Sequence, residues 1–148
     1  YITLHIDHYG FFKINEQSKL DVYGRIEDKL KPIFSISGKV VFESHKHSHI
    51  FSEWRGADPV DLINEIQAIQ KSVSSIRNLS QKPTLIFLSG AYRLLDSIRI
   101  QENSYHLLGE GLYQSFFHFN HKGPAIYIHN ENKGFEYTKI ERLGFVWC

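Results

Sequence analysis

The chain has 148 residues, with 17 Lys and Arg against 16 Asp and Glu and a formal net charge of +1. A charge this close to balance gives no electrostatic case for a nucleic-acid or membrane-surface partner, and no apolar run is long enough to cross a bilayer. The single cysteine, Cys148, excludes an internal disulfide, while the length and an aromatic content of 14% suit one β-rich domain with a sizeable core.

Residues 1–52 read as a β-rich lead-in or attachment segment. Tyr1 to Ile6 alternates in polarity, and Val22 to Ile26 and Ile33 to Ile36 are short strand candidates. Ser37-Gly38-Lys39 is predicted to turn Ile33–Ile36 back onto Val40-Val41-Phe42, and the charged stretch Glu27 to Pro32 is predicted to be a loop. His45, His47 and His49 then fall at every second position. On a strand the three imidazoles share one face, within reach of one metal ion, and a threefold axis could gather such histidines from three chains. No further Cys, Asp or Glu ligand stands at a recognisable spacing, so a solvated polar connector accounts for them and no metal is assigned.

Residues 53–148 read differently. Arg55 to Pro59 makes a turn, with Asp58 as the expected N-cap and Pro59 at the first helical position. Leu62, Ile66, Ile69, Val73 and Ile76 alternate at four and three, which predicts one amphipathic helix near residues 59–78. Pro83 and the polar residues before it end it. Thr84 to Leu88 is apolar on both faces and needs cover on both sides. The helix stripe is expected to cover one of them, with Ile66, Ile69 and Val73 over Leu85 or Phe87.

Beyond Leu88 short apolar runs recur at Ile98–Ile100, His106–Leu108, Phe116–Phe119, Ala125–Ile128 and Ile140–Phe145, punctuated by glycines. Phe87, Leu107, Tyr127 and Phe145 return at roughly 20-residue intervals, the signature of a solenoid. Ile98, Ile100, Phe117, Phe119, Ile126 and Ile128 are expected inside, and Arg99, His118 and Tyr127 outside. Phe145-Val146-Trp147-Cys148 is apolar, and a solenoid stopping there would expose an open end. The sequence is therefore expected to be a piece of a longer protein.

The ordered set Trp54-Arg55-Gly56-Ala57-Asp58-Pro59, Ala68-Ile69-Gln70, Ile86 to Tyr92, Leu107-Leu108-Gly109-Glu110-Gly111, Lys122 to Ile126 and Ile140 to Phe145 resembles the N-terminal portion of the pectate-lyase-like right-handed β-helix superfamily. That superfamily includes polysaccharide lyases, polygalacturonase-like hydrolases and phage tailspike depolymerases. The resemblance implies a mostly β fold: a lead-in segment, one capping α-helix, then the first coils of a right-handed parallel β-helix. It implies a polysaccharide substrate or ligand, a homotrimer as one assembly, and a secreted or virion-associated location. Asp58 to Asp61 is expected to run almost straight into the helix, where family members often carry a longer loop.

The function that follows is binding and cleavage of polysaccharide by a lyase, hydrolase or depolymerase of which this is the entrance. The alternatives are a non-enzymatic attachment β-helix, as in a particle fibre or adhesin, and a metal-stabilised trimer built on His45, His47 and His49. Glycoside hydrolysis needs two placed carboxylates. Asp96, Glu102, Glu110, Glu131, Glu136 and Glu141 are available, but none forms a close sequence pair, and Glu110 sits in a structural turn of the resembled family. No catalytic residue is nominated. The resemblance places the chemistry on coils beyond these. His106, His118, His121 and His129 read as surface or stacking positions. No P-loop, Gly-x-Gly-x-x-Gly, Cys-x-x-Cys or Gly-x-Ser-x-Gly is present, so no cofactor is assigned. Tyr92, Tyr105, Tyr113, Phe116, Tyr127, Tyr137 and Trp147 exceed what a small core needs, and any that face outward would suit stacking against sugar rings.

Overall fold

The computed structural model describes residues 12–23, 26, 32–35, 37–42, 49–61, 63–76, 82–101, 104–111, 113–129 and 137–147. These residues are mostly strand, with one α-helix. Strands β1 (Lys19–Val22) and β2 (Lys39–Phe42) form one pair. The others are β3 (His49–Phe51), β4 (Thr84–Phe87), β5 (Gly90–Leu94), β6 (Ile98–Ile100), β7 (His106–Gly109), β8 (Ser115–Phe119), β9 (Ile126–Ile128), β10 (Lys139–Glu141) and β11 (Gly144–Trp147). They pair as β3-β4-β7-β10, β5-β8-β11 and β6-β9, and every pair is parallel. From β4 to β11 the chain visits these three sheets in strict rotation.

Inward residues stack in columns across the pairs. Ile50 lies beside Leu85 and Leu85 beside Leu107, Tyr92 beside Phe117, and Leu94 beside Phe119, all fully buried or nearly so. Ile98 and Ile100 are buried too, while Ile126 and Ile128 beside them are half-buried. Arg99 and Tyr127 face out, as alternation requires. The aromatic rings meet edge to face, with Phe87 and Phe117 centroids 4.9 Å apart and Phe87 and Tyr92 5.6 Å apart. Each such ring contributes roughly 1.5–3 kcal/mol through burial and about 0.5–1.5 kcal/mol more through ring geometry. Gly109 is required where β7 passes the β10–β11 corner, because a Cβ there would sit 2.2 Å from the Arg142 carbonyl oxygen.

The residue steps between paired strands differ from the expected recurrence. Leu85 pairs with Leu107, 22 residues on, but Leu107 pairs with Ile140, 33 residues on, and Phe117 with Phe145, 28 residues on. Phe87 and Leu107 belong to one sheet, Tyr127 to another and Phe145 to the third. The 20-residue spacing therefore joins residues at different corners. Gly90–Leu94, not among the short apolar runs read from the sequence, is a strand. Ile140–Phe145, read as one run, is two strands split at Arg142-Leu143, where Arg142 takes a left-handed φ of 57°.

The helix is shorter than its stripe. It spans Ile66–Ser75 (α1), not 59–78. Three side chains hold the preceding residues out of it. Asp58 Oδ1 accepts the Val60 N–H, Asp61 Oδ1 accepts the Ile63 N–H, and Asn64 Oδ1 accepts the Ile66 N–H. Such local bonds give the backbone an alternative to helix. Asp58 is thus not the N-cap, Pro59 is not the first helical residue, and the loop expected to be short runs to Glu65. That loop lies along β5: Ala91 N–H donates to Pro59 O and Glu65 N–H to Arg93 O. The helix packs mainly on residues 52–55, on β2 and on β6, and its Ile69 and Val73 belong to the same buried cluster as Leu85 and Phe87. Its Gln70 amide accepts the Arg99 N–H at 2.9 Å and donates to Arg99 O at 2.8 Å, standing in for a strand beside β6.

The lead-in departs from its expected hairpin. β2 pairs in parallel with β1, and Phe34 makes a parallel bridge with Phe12. The expected strand at Tyr1–Ile6 lies outside the described residues. Ile14, Ile33, Phe34, Val40 and Phe42 share one cluster of buried side chains with Trp54, Ile69 and the strands that follow, so the core is continuous across residue 52.

Ser52–Arg55 form a 3-10 turn buried at the centre of that cluster. Trp54 O accepts both the Ile33 and Phe34 N–H groups, and Arg55 donates to Gly38 O at 3.0 Å. Burial lowers the Arg55 guanidinium to about 10, so it stays protonated at neutral pH. Glu53 accepts the Leu88 N–H at 3.2 Å and the Tyr92 hydroxyl. Burial pushes the Glu53 carboxyl up, against the lowering by those bonds, and burial followed by the Glu53 charge pushes the Tyr92 hydroxyl up. Glu53→Ala leaves Leu88 N–H without this acceptor and should cost about 2–4 kcal/mol in denaturant unfolding. Glu53→Gln keeps an acceptor oxygen and removes the buried charge. It should match or exceed the parent above the ordinary carboxylate range, where ionising Glu53 costs the folded state stability. Equal losses in both variants would show that charge, not hydrogen bonding, is what Glu53 supplies.

Candidate functional site

The outer face of β3-β4-β7-β10 carries the densest polar constellation among the described residues. Register alone assembles it. His49 lies beside Thr84, and His106 beside Lys139. Leu85 beside Leu107 brings Thr84 next to His106, and Glu141 stands two residues beyond Lys139 on the same face. His106 Nδ1 is 3.1 Å from Thr84 Oγ1, and His106 Nε2 is 2.7 Å from Glu141 Oε2. Lys139 Nζ holds the other Glu141 oxygen at 2.7 Å. The Lys139 hydrogen bond draws the Glu141 carboxyl below its ordinary value, with a smaller contribution from His106; the same bond raises the Lys139 ammonium.

The partners fix the imidazole tautomer. An ionised carboxylate only accepts, so Nε2 carries the proton toward Glu141. In a neutral ring Nδ1 is then the acceptor, and the Thr84 hydroxyl donates to it. The result is a hydroxyl–imidazole–carboxylate chain, with the carboxylate pinned by an ammonium. His106 and Glu141 side chains are about one-third exposed, at 30% and 37%, so solvent and solutes reach the chain.

A second acidic group lies at the β5 edge. Glu65 is buried, its Oε2 accepts the Asp58 N–H at 3.0 Å, and Asp58 and Asp61 stand nearby. Burial, with a smaller push from the two aspartates, raises the Glu65 carboxyl to about 7. Glu65 was not among the carboxylates weighed from the sequence. Its signal was available only as the Asp58, Asp61, Glu65 spacing, and nothing in that spacing announces burial.

The remaining expected residues are scattered. Glu110 accepts Ser89 N–H at 2.9 Å and Ser89 Oγ at 2.5 Å, and its own N–H donates to buried Ser115. It ties adjacent corners together. Asp96 accepts the Ser97 N–H and lies 3.8 Å from Arg99. Glu102, Glu131, Glu136, His45 and His47 lie outside the described residues, and His49 sits at the exposed start of β3. His121 packs against Phe119 and Trp147, and His129 lies alongside Tyr127. Tyr92 and Tyr105 are core residues, whereas Tyr113, Tyr127, Tyr137 and Trp147 are exposed. Comparison with protein-family models, with curated proteins and with solved structures found no match to this chain.

Glu65 gives the fold a pH dependence. The folded chain binds its proton more tightly than the unfolded chain, whose carboxyl titrates near the ordinary 4.5. The stability so gained is complete below that value and is lost as pH rises through about 7. Glu65→Gln keeps an acceptor for the Asp58 N–H and removes the titration. Between pH 4.5 and 7 the parent should lose on the order of 2–3 kcal/mol more than the variant. Parallel unfolding profiles would place the Glu65 carboxyl in the ordinary range.

Proposed function

We propose that these residues are the first coils of a right-handed parallel β-helix of the pectate-lyase-like type, and that the protein binds polysaccharide. The rotation of the chain through three parallel sheets supports the coil assignment, and right-handed crossovers are the rule for parallel strands. The lead-in and α1 are the natural candidates for the N-terminal cap. A lyase, hydrolase or tailspike-like depolymerase is the parent activity we favour, in a secreted or virion-associated protein, with a homotrimer as its candidate assembly.

The observation that carries the carbohydrate reading is the outer face of β6-β9. Tyr127 is 44% exposed, and the His129 ring lies beside it at 25° with centroids 5.9 Å apart. The Arg99 guanidinium sits 6.0 Å from the Tyr127 ring centroid, with Asp96 next to it. Two nearly parallel, stacked rings on one strand, rimmed by an acceptor and a multiple donor, offer an aromatic face and hydroxyl partners that suit the C–H face and hydroxyl edge of a sugar unit. Gln70 on one side and the Ser97 hydroxyl bonded to Pro124 O on the other keep the platform in place. We assign these coils to holding the chain of sugars rather than cutting it.

The test is retention on a panel of acidic and neutral polysaccharides, with assays for new reducing ends and for unsaturated products. Binding without turnover is expected, and Tyr127→Ala should weaken it about tenfold, the equivalent of one stacked ring. No retention by any polysaccharide would overturn the carbohydrate reading. Undiminished binding by Tyr127→Ala would move the sugar to another face.

A further inference from the structure

We propose that Thr84, His106 and Glu141 form an acyl-transfer site, with Thr84 Oγ1 as nucleophile, His106 as general base and Glu141 as the residue that positions the imidazole. This is separate from sugar binding on β6-β9 and does not depend on it. The connectivity is the one nucleophilic catalysis requires: a hydroxyl within reach of an unprotonated ring nitrogen, and a carboxylate on the other ring nitrogen. The separations of 3.1 and 2.7 Å are both hydrogen-bonding distances. All three groups are on strands, and parallel pairing through β4, β7 and β10 fixes their spacing. Lys139 fastens the second oxygen of Glu141, so the carboxylate keeps its charge and its aim. A purely structural ladder needs only matched donors and acceptors. Here the hydroxyl faces the one ring nitrogen left free to take its proton.

The substrate class is a small or activated carboxylic ester that reaches an open sheet face. In the first step the bond between Thr84 Oγ1 and the acyl carbon forms, the ester C–O bond breaks, and the hydroxyl proton passes to His106 Nδ1. The leaving alcohol takes that proton, or, where it departs as a stable phenolate, the imidazolium returns the proton to water. In the second step a water adds to the acyl carbon, gives its proton to Nδ1, and Thr84 leaves as the alcohol with that proton. The free acid is released and no further reactant is needed.

The probe is 4-nitrophenyl acetate with the whole chain, read by phenolate release and by peptide mapping of the acetyl group. Acetyl-Thr84 is expected in the parent. Its formation should fall by about 100-fold in His106→Gln, the scale of a lost general base, and vanish in Thr84→Val. The groups facing the His106 ring are Thr84 from β4 and Glu141 from β10, with Lys139 on the far oxygen of Glu141. Glu141→Gln should therefore slow Thr84 acetylation by letting the ring turn from its tautomer, and Glu141→Asp should restore part of the rate, a rescue that loss of packing alone would not produce. Circular dichroism of each variant guards against unfolding. Acetyl groups on lysines or histidines but not on Thr84, or equal Thr84 labelling in the parent and His106→Gln, would overturn the assignment.

Discussion

The structure depends on one buried turn whose polar groups draw partners from every part of the chain, with Ser52 Oγ and Glu53 Oε2 as the exceptions. Ser52–Arg55 is closed off on all sides, and an unmatched donor or acceptor there would cost about 1–3 kcal/mol each. The partners come from four directions: Ser72 on the helix, Leu88 and Tyr92 beside and on the strands, Ile33 and Phe34 in the lead-in, and Gly38 at the start of β2. Each of these bonds is made only when the element that supplies the partner is in its native place. The turn makes one cooperative unit out of segments that look unrelated in sequence. It also explains a glutamate and an arginine inside a core rich in Phe, Trp and Tyr.

Around that hub the strands solve a second problem. A stack of parallel strands must start somewhere, and its first strands would otherwise present unpaired N–H and C=O groups. Two devices meet two of the three sheets, and the third begins at its edge strand β3. β3 pairs with β4, the Asx-turn loop bonds along β5, and a side-chain amide mimics a strand beside β6. The aromatic columns then need no special chemistry to continue, because each ring inserts against those of the strands before and after it.

Much of this was legible in the sequence, and the failures are instructive. The inward and outward residues of β6, β8 and β9 follow from alternation, which depends only on the strand geometry. The helix stripe was real but its start was not where the stripe began, because Asp58, Asp61 and Asn64 compete for the backbone at every third residue. The recurrence failed for a different reason. Corners differ in length, so apolar runs at equal spacing fell on different sheets. The candidate site was hidden by the same fact. Thr84, His106 and Glu141 are separated by 22 and 35 residues, and only the observed register shows that these unequal steps end on one face. The Gln70 amide had no signal at all, since a glutamine on the polar side of a helix looks like any solvated residue.

That amide has a consequence for how copies of the chain can meet. A head-to-tail filament requires each molecule to offer a matching edge at both ends, so that the contact repeats without closing. Gln70 occupies both hydrogen-bonding groups of Arg99, and the loop before α1 occupies those of β5 at Ala91 and Arg93. Two of the three sheets are therefore blunt on the helix side, while β10 and β11 lie at the opposite edge. On the helix side, then, strand addition is blocked at β5 and β6. One helical side chain thereby supplies part of what keeps the β6 edge from serving as a template for a neighbouring strand.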